Sequence, residues 1–195
     1  LGLAFGLAAP DAGAQTVGSG TLLVASRQLT DVNFARAVVL ILQHDENGTI
    51  GVMLNRPTNL VPATVFPELA EDLGSYDGRL FRGGPVAPTR LLYIVRGLAA
   101  ATVTGPEVLE KVFLSIEDSA LPDMVRLADS TKELRLYAGH ATWAAGQLQA
   151  EIGAGGWQIL LGTPELVFDE DPGSLWTKLE GRGTDRNNVV AALTD

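Results

Sequence analysis

Two histidines and a glycine-flanked corner carry most of the chemistry this sequence could do. His140 lies in YAGHATWAAGQLQAEI, residues 137–152, directly after Gly139, with Trp143 three residues on and Gln147 and Glu151 four apart behind it. A histidine on such a corner is a candidate general base, because an imidazole titrates near neutral pH. The same stretch reads equally as a strand-turn-helix packing corner, with the Trp143 ring buried against the sheet and its indole N–H satisfied there. Gln147 and Glu151 share one helical face, turned to solvent or to a groove. His44 is the other imidazole, 96 positions away and next to Asp45. It reads as a hydrogen-bonded turn residue at a strand end. A metal site would need His44, Asp45 and His140 to meet in space, since no H-x-x-x-H pair is present.

Two further stretches have groups suited to anions. Asn55-Arg56-Pro57 closes a predicted hairpin, and Arg56 offers a guanidinium that reads first as half of a turn salt bridge. Gly83-Gly84-Pro85 is a turn that could present backbone N–H groups as an anion nest. Complete catalytic motifs are missing. No G-x-S-x-G elbow, P-loop or dinucleotide fingerprint occurs, and the chain has no cysteine, which removes thiolate chemistry and Cys-based zinc sites. No cofactor and no metal are assigned. His44 and His140 stand as catalytic candidates, and Asn55, Arg56, Gly83, Gly84, Trp143, Gln147 and Glu151 as ligand-binding candidates.

These residues need elements to hold them. Residues 38–43 form an apolar, β-branched run, Asp45-Glu46-Asn47-Gly48 has hairpin turn chemistry, and residues 50–55 return. Both strands are apolar nearly throughout, which places the hairpin inside a sheet. Further strands are expected over 20–26, on either side of Gly83-Gly84-Pro85, and over 111–116, 133–139 and 157–162. Helices are expected near Pro67–Leu73, after an Asp118 or Ser119 cap, over the stretch holding Ala144, Leu148 and Ile152 with Gly153 at its C′ position, and after Thr163-Pro164 and Asp171-Pro172. Hairpins mixed with occasional helices predict an α+β fold: one compact domain around a mixed, largely antiparallel β-sheet with flanking helices.

Composition bounds the partners. With 195 residues, 46% hydrophobic and 19% charged, the chain can bury one ordinary core. Its formal charge is −9 and its basic residues are scattered singly, which disfavours nucleic acid. The first residues, LGLAFGLAAPDAGAQ, have a short apolar run followed by Ala12-Gly13-Ala14, the pattern of a secretory signal peptide. Residues 1–14 are therefore expected to be a signal segment, residues 15–195 the domain, and the mature protein periplasmic or secreted. No other segment is a membrane candidate, and no integral span is expected.

Four stretches resemble the YqgE/AlgH family in order and spacing: GTLLVASRQLTDVNFARAVVLILQHDENGTIGVMLNRP, FRGGPV, LRLYAGHATWAAGQLQAEI and WQILLGTPELVFDEDPGSLWTKL. The resemblance spans residues 20–179 and implies a single α+β domain with a mixed sheet. It implies no reaction, and it brings a transcriptional-regulator label with it. The typical member looks cytoplasmic, the alternative compartment for this chain. The sequence departs from the family pattern at Thr142-Trp143-Ala144-Ala145-Gly146-Gln147, where Gly-Trp-Gly-Pro-Gly-Gln is usual, and at Arg27, where a proline is usual. The expectation is a non-enzymatic protein that binds a protein or small-molecule ligand. A small hydrolase or metal-assisted enzyme using His44 and His140 is the alternative, and a transcriptional regulator is the third reading.

Overall fold

The computed structural model describes residues 16–129 and 132–182, with the side chains of 98, 99 and 102 left aside. The signal-like residues 1–14 lie outside this range. Among the described residues nine strands form one sheet: β1 (Thr21–Ala25), β2 (Val38–Asp45), β3 (Gly48–Met53), β4 (Leu80–Arg82), β5 (Val86–Arg96), β6 (Glu107–Leu109), β7 (Val112–Ser115), β8 (Leu134–Ala144) and β9 (Trp157–Leu161). The order is β6-β7-β5-β8-β3-β2-β1-β9, antiparallel throughout, and β4 adds the single parallel pairing, on β8. This is the predicted mixed, largely antiparallel sheet. The β2–β3 hairpin is internal, as its two-sided apolar pattern requires, and Asp45 faces Gly48 across a two-residue turn.

The sheet curls on itself. One buried cluster takes residues from every strand, among them Leu22, Leu40, Val52, Phe81, Ile94, Val108, Val112, Tyr137 and Leu160. Only a concave face can gather all nine. The two ends of the sheet come together at Gly20, where an added β-carbon would lie 2.6 Å from the Val108 carbonyl oxygen of the opposite end. Leu166, Val167, Phe168, Leu175 and Leu179 join the same cluster.

Among the described residues five short helices flank the strands: α1 (Pro62–Val65), α2 (Leu121–Leu127), α3 (Gln147–Gly153), α4 (Pro164–Val167) and α5 (Leu175–Leu179). Thr163 caps α4 by accepting from the Leu166 N–H, as its Thr-Pro signature predicts. Leu121, Met124 and Val125 bury one face of α2, also as expected, but a 3-10 turn over Asp118–Ala120 precedes it and neither Asp118 nor Ser119 caps it with a side chain. Near Pro67–Leu73 only a 3-10 turn, Pro67–Leu69, forms, and Leu69 and Leu73 still reach the core. The glycine that ends α3 is Gly155 (φ +77°) rather than Gly153: Gly155 N–H donates to Ile152 and Gly156 N–H to Glu151. No helix among the described residues is long and apolar enough to cross a membrane.

Candidate functional site

The 137–152 stretch is not a strand-turn-helix corner at His140. β8 runs straight through Gly139 and His140 to Ala144, and the turn comes after it, at Ala145-Gly146. Cross-strand pairing outweighs the local turn signal: His140 pairs with Val86 of β5, while Ala141 to Ala144 pair with β3. Gly139 keeps its left-handed backbone (φ +70°) inside the strand, and the only positive φ from 142 to 147 is at Gly146 (φ +77°). The alanines that replace family glycine and proline at 144 and 145 therefore occupy ordinary backbone, and the retained glycine takes the strained position.

Gly83 and Gly84 do not form an open nest. They press edge-on against β8: Gly83 N–H donates to the Ala138 carbonyl at 2.9 Å, and its own carbonyl accepts from Met53 N–H at 2.8 Å. A β-carbon on Gly83 would lie 2.1 Å from the Gly139 oxygen, and one on Gly84 2.1 Å from the His140 oxygen. The two glycine motifs thus pack on each other, and the second is needed for close approach.

Trp143 lies in β8 and not at a helix start. Its ring is buried, stacked on Phe34 at 5.4 Å and edge-on to Trp157 at 5.9 Å. Glu151 Oε2 accepts from both indoles, at 3.0 Å from Trp143 and 2.8 Å from Trp157. Gln147 is exposed to solvent, and it also accepts from Ala144 N–H and donates to Glu151 Oε1, both at 3.0 Å. These residues form a polar clasp that ties α3 to β8 and β9.

His44 is a hydrogen-bonded strand-end residue, but its partners are not Asp45. Nδ1 lies 2.7 Å from Thr49 Oγ1 and Nε2 3.1 Å from the Gln149 side-chain nitrogen. With the amide donating to Nε2, the proton sits on Nδ1 and points to Thr49. Asp45 instead holds its own turn, accepting from Gln43 at 2.6 Å and Asn47 N–H at 2.8 Å.

The structure does not bring the two histidines together. His44 faces Thr49, and Thr49 faces Trp143, so those three share one side of the sheet. His140, an odd number of residues from Trp143, takes the other side. Two strand spacings and three residues of rise separate them by about 14 Å at Cα, too far for a shared first shell. His140 Nδ1 is buried without a hydrogen-bond partner, and burial, then the nearby Arg90, holds the imidazole below its ordinary pKa. No cluster of three metal-ligating side chains occurs among the described residues.

Asn55 is a structural clamp: its Oδ1 accepts from Val38 N–H at 2.9 Å and its Nδ2 donates to the Arg36 carbonyl at 2.8 Å. Arg56 makes no salt bridge among the described residues, which corrects the expected turn ion pair. It donates to the Ala35 carbonyl, and burial, then the charge of Arg82, lowers its pKa. Arg82 reaches Asn33 Oδ1 at 3.3 Å. Two guanidiniums therefore stand near each other, with neither ion-paired among the described residues. Sequence reading passed over Arg82 because nothing local links it to Arg56; an isolated bridge between Pro57 and Phe81 does so.

Comparison with known proteins now fixes the lineage. A model of the AlgH-like family, DUF179, matches residues 22–184. The chain belongs to the AlgH-like family. Similar AlgH-like relatives carry the name UPF0301 protein. One from Streptomyces avermitilis is 35% identical over 181 residues, covering 91% of this chain and 92% of its own. One from Thermobifida fusca is 37% identical over 174 residues, covering 83% and 84%. The crystal structure of protein DIP2367 from Corynebacterium diphtheriae superposes with a TM-score of 0.72 at 25% identity, covering 91% of this chain and 92% of that one. The solution structure of AlgH from Pseudomonas aeruginosa gives 0.69 at 24% identity, covering 89% and 93%, and supports the AlgH-like fold alone.

Proposed function

We propose that this AlgH-like chain is a non-enzymatic binding protein whose recognition surface includes Arg56 and Arg82, beside Asn33. The observation that carries the reading is the pair itself: two nearby cations repel, and no carboxylate pairs with either among the described residues. An anionic group on a small molecule or a protein partner relieves that repulsion and can be gripped by two guanidinium forks. Asn55, Gly83 and Gly84 support this surface from behind, because they set the backbone on either side of it.

The hydrolase alternative draws no support from the histidines, which lie on opposite sides of the sheet. The regulator reading is opposed by the formal charge of −9. The test has two arms. Titration of inorganic phosphate at low salt, followed by amide NMR, is expected to shift resonances around residues 33, 56 and 82 saturably, and Arg56→Gln with Arg82→Gln to remove those shifts. Turnover in a broad hydrolase panel that disappears in His140→Ala overturns the reading in favour of an enzyme.

We also propose that residues 1–14 direct export, resting on their apolar run and Ala12-Gly13-Ala14. N-terminal sequencing of protein made in a secreting host reads a start at Gln15 in that case; an intact Leu1 in the cytoplasm overturns it.

A further inference from the structure

Arg135 is a charged residue in the buried first half of β8, among Leu134, Leu136 and Tyr137, each fully buried. It sits between Leu134 and Leu136 on β8, only 4% exposed. Its guanidinium lies over the Phe81 ring at 4.8 Å and near the Phe168 ring at 5.8 Å. It donates through Nη2 to the Asp169 backbone carbonyl, while Nη1 has no hydrogen-bond partner. No carboxylate pairs with it among the described residues: Asp169, whose carbonyl it holds, gives its own carboxylate to Lys178 at 2.8 Å and 3.0 Å. The hydroxyl of Tyr137, two residues along the same face of β8, is also buried, with the Arg135 guanidinium beside it.

A buried cation without a counter-charge is among the costliest arrangements a fold can hold, because its hydration is lost and nothing replaces it. Ring faces and a single carbonyl offset part of that cost. Arg135 lines a cavity of about 350 Å³ together with Tyr76, Phe81, Pro172, Arg79 and Lys132. That volume is within the range of small-molecule sites, roughly 300–1,000 Å³. Asp77, Asp169 and Glu170 are also in the lining, so the cavity is mixed in charge rather than a general basic funnel. Selectivity must then come from the desolvated fork of Arg135.

We propose that this cavity binds a small organic carboxylate, whose carboxyl group pairs with Arg135 and whose apolar body rests on Tyr76, Phe81 and Pro172. A planar guanidinium fork suits the two coplanar oxygens of a carboxylate. The apolar wall favours an organic anion over inorganic phosphate. Arg79 and Lys132 at the rim guide the anion in. Neither Arg56 nor Arg82 lines this cavity, and the proposal does not depend on that pair.

Isothermal titration of the full chain with benzoate, and separately with inorganic phosphate, tests this. Benzoate is expected to bind saturably, to shift the amides of Phe81, Arg135 and Glu170, and to bind at least 10-fold more tightly than phosphate. Lys132→Ala and Arg79→Gln, both at exposed positions, are expected to weaken benzoate several-fold. Arg135→Lys keeps the charge but loses the fork, and is expected to weaken it by 10-fold or more with amide dispersion intact. If Arg135→Lys does not fold, the two rim variants carry the test. Absence of saturable benzoate binding, phosphate binding as tight as benzoate, or indifference to all three variants overturns the proposal. Because neither Arg56 nor Arg82 lines this cavity, its failure is separable from failure of the arginine-pair surface.

Discussion

Gly84 lies against His140 so closely that a β-carbon on the glycine would fall 2.1 Å from the histidine carbonyl oxygen. Two segments more than fifty residues apart in sequence are thereby forced into backbone contact, and the contact tolerates no side chain. Gly84→Ala must push β8 away from the 83–85 segment and break the Gly83–Ala138 hydrogen bond with it. The expected loss is about 3 kcal/mol or more, a Tm drop on the order of 10 °C for a domain of this size. Gly153→Ala is the control: nothing lies within 4 Å of its added β-carbon, and it is expected to be neutral or slightly stabilising by thermal denaturation.

Glu151 is the acceptor for two indoles at once. Glu151→Ala leaves the N–H groups of Trp143 and Trp157 unsatisfied in a buried setting, at a cost of about 2–4 kcal/mol. Near-ultraviolet circular dichroism and tryptophan fluorescence should both change, because the Phe34–Trp143–Trp157 cluster loses its anchor. Glu151→Gln keeps one oxygen acceptor and is expected to cost about half as much. Equal stability of wild type and Glu151→Ala in urea would show that the clasp is dispensable.

Asn55 joins both ends of its amide to the 36–38 backbone. Asn55→Ala strands the buried Val38 N–H and is expected to lose about 1–3 kcal/mol in urea unfolding. Asn55→Asp retains the acceptor for Val38 but loses the donor to Arg36, and should fall between the two. A ligand role alone for Asn55 predicts no change in either midpoint.

His140 sets a pH dependence whose sign follows from its surroundings. Burial, then Arg90, lowers its pKa from the ordinary 6.5, so the folded chain holds this proton less tightly than the unfolded chain. Above pH 6.5 both states are neutral there and nothing is lost. As pH falls below 6.5 the unfolded state takes up the proton first, and stability declines towards the lower folded pKa. Unfolding free energies measured between pH 7.5 and 5 should fall for wild type and fall less for His140→Gln. Parallel curves for the two proteins would show that His140 contributes nothing to acid sensitivity.

Much of the fold was legible in the chain itself. The β2–β3 hairpin, its internal position, the Thr163 cap and the buried face of α2 all follow from local pattern: two-sided apolar runs, Asn-Gly turn chemistry, a Thr-Pro pair and helical spacing of Leu121, Met124 and Val125. The failures have one physical origin. Gly139-His140 reads locally as a turn, yet β8 continues through it because β5 and β3 offer ladder partners on both sides. Nothing local marks Arg135 as buried; it is buried because both faces of β8 at that point are covered once the sheet curls. Helix and turn signals act over a few residues and are written in the sequence. The separation of His44 from His140, the approach of Arg82 to Arg56, the seat of Glu151 between two tryptophans and the burial of Arg135 depend on which strands lie side by side. Register and curl decide that, through hydrogen bonds and packing between segments distant in the chain, and only the tertiary structure sets them.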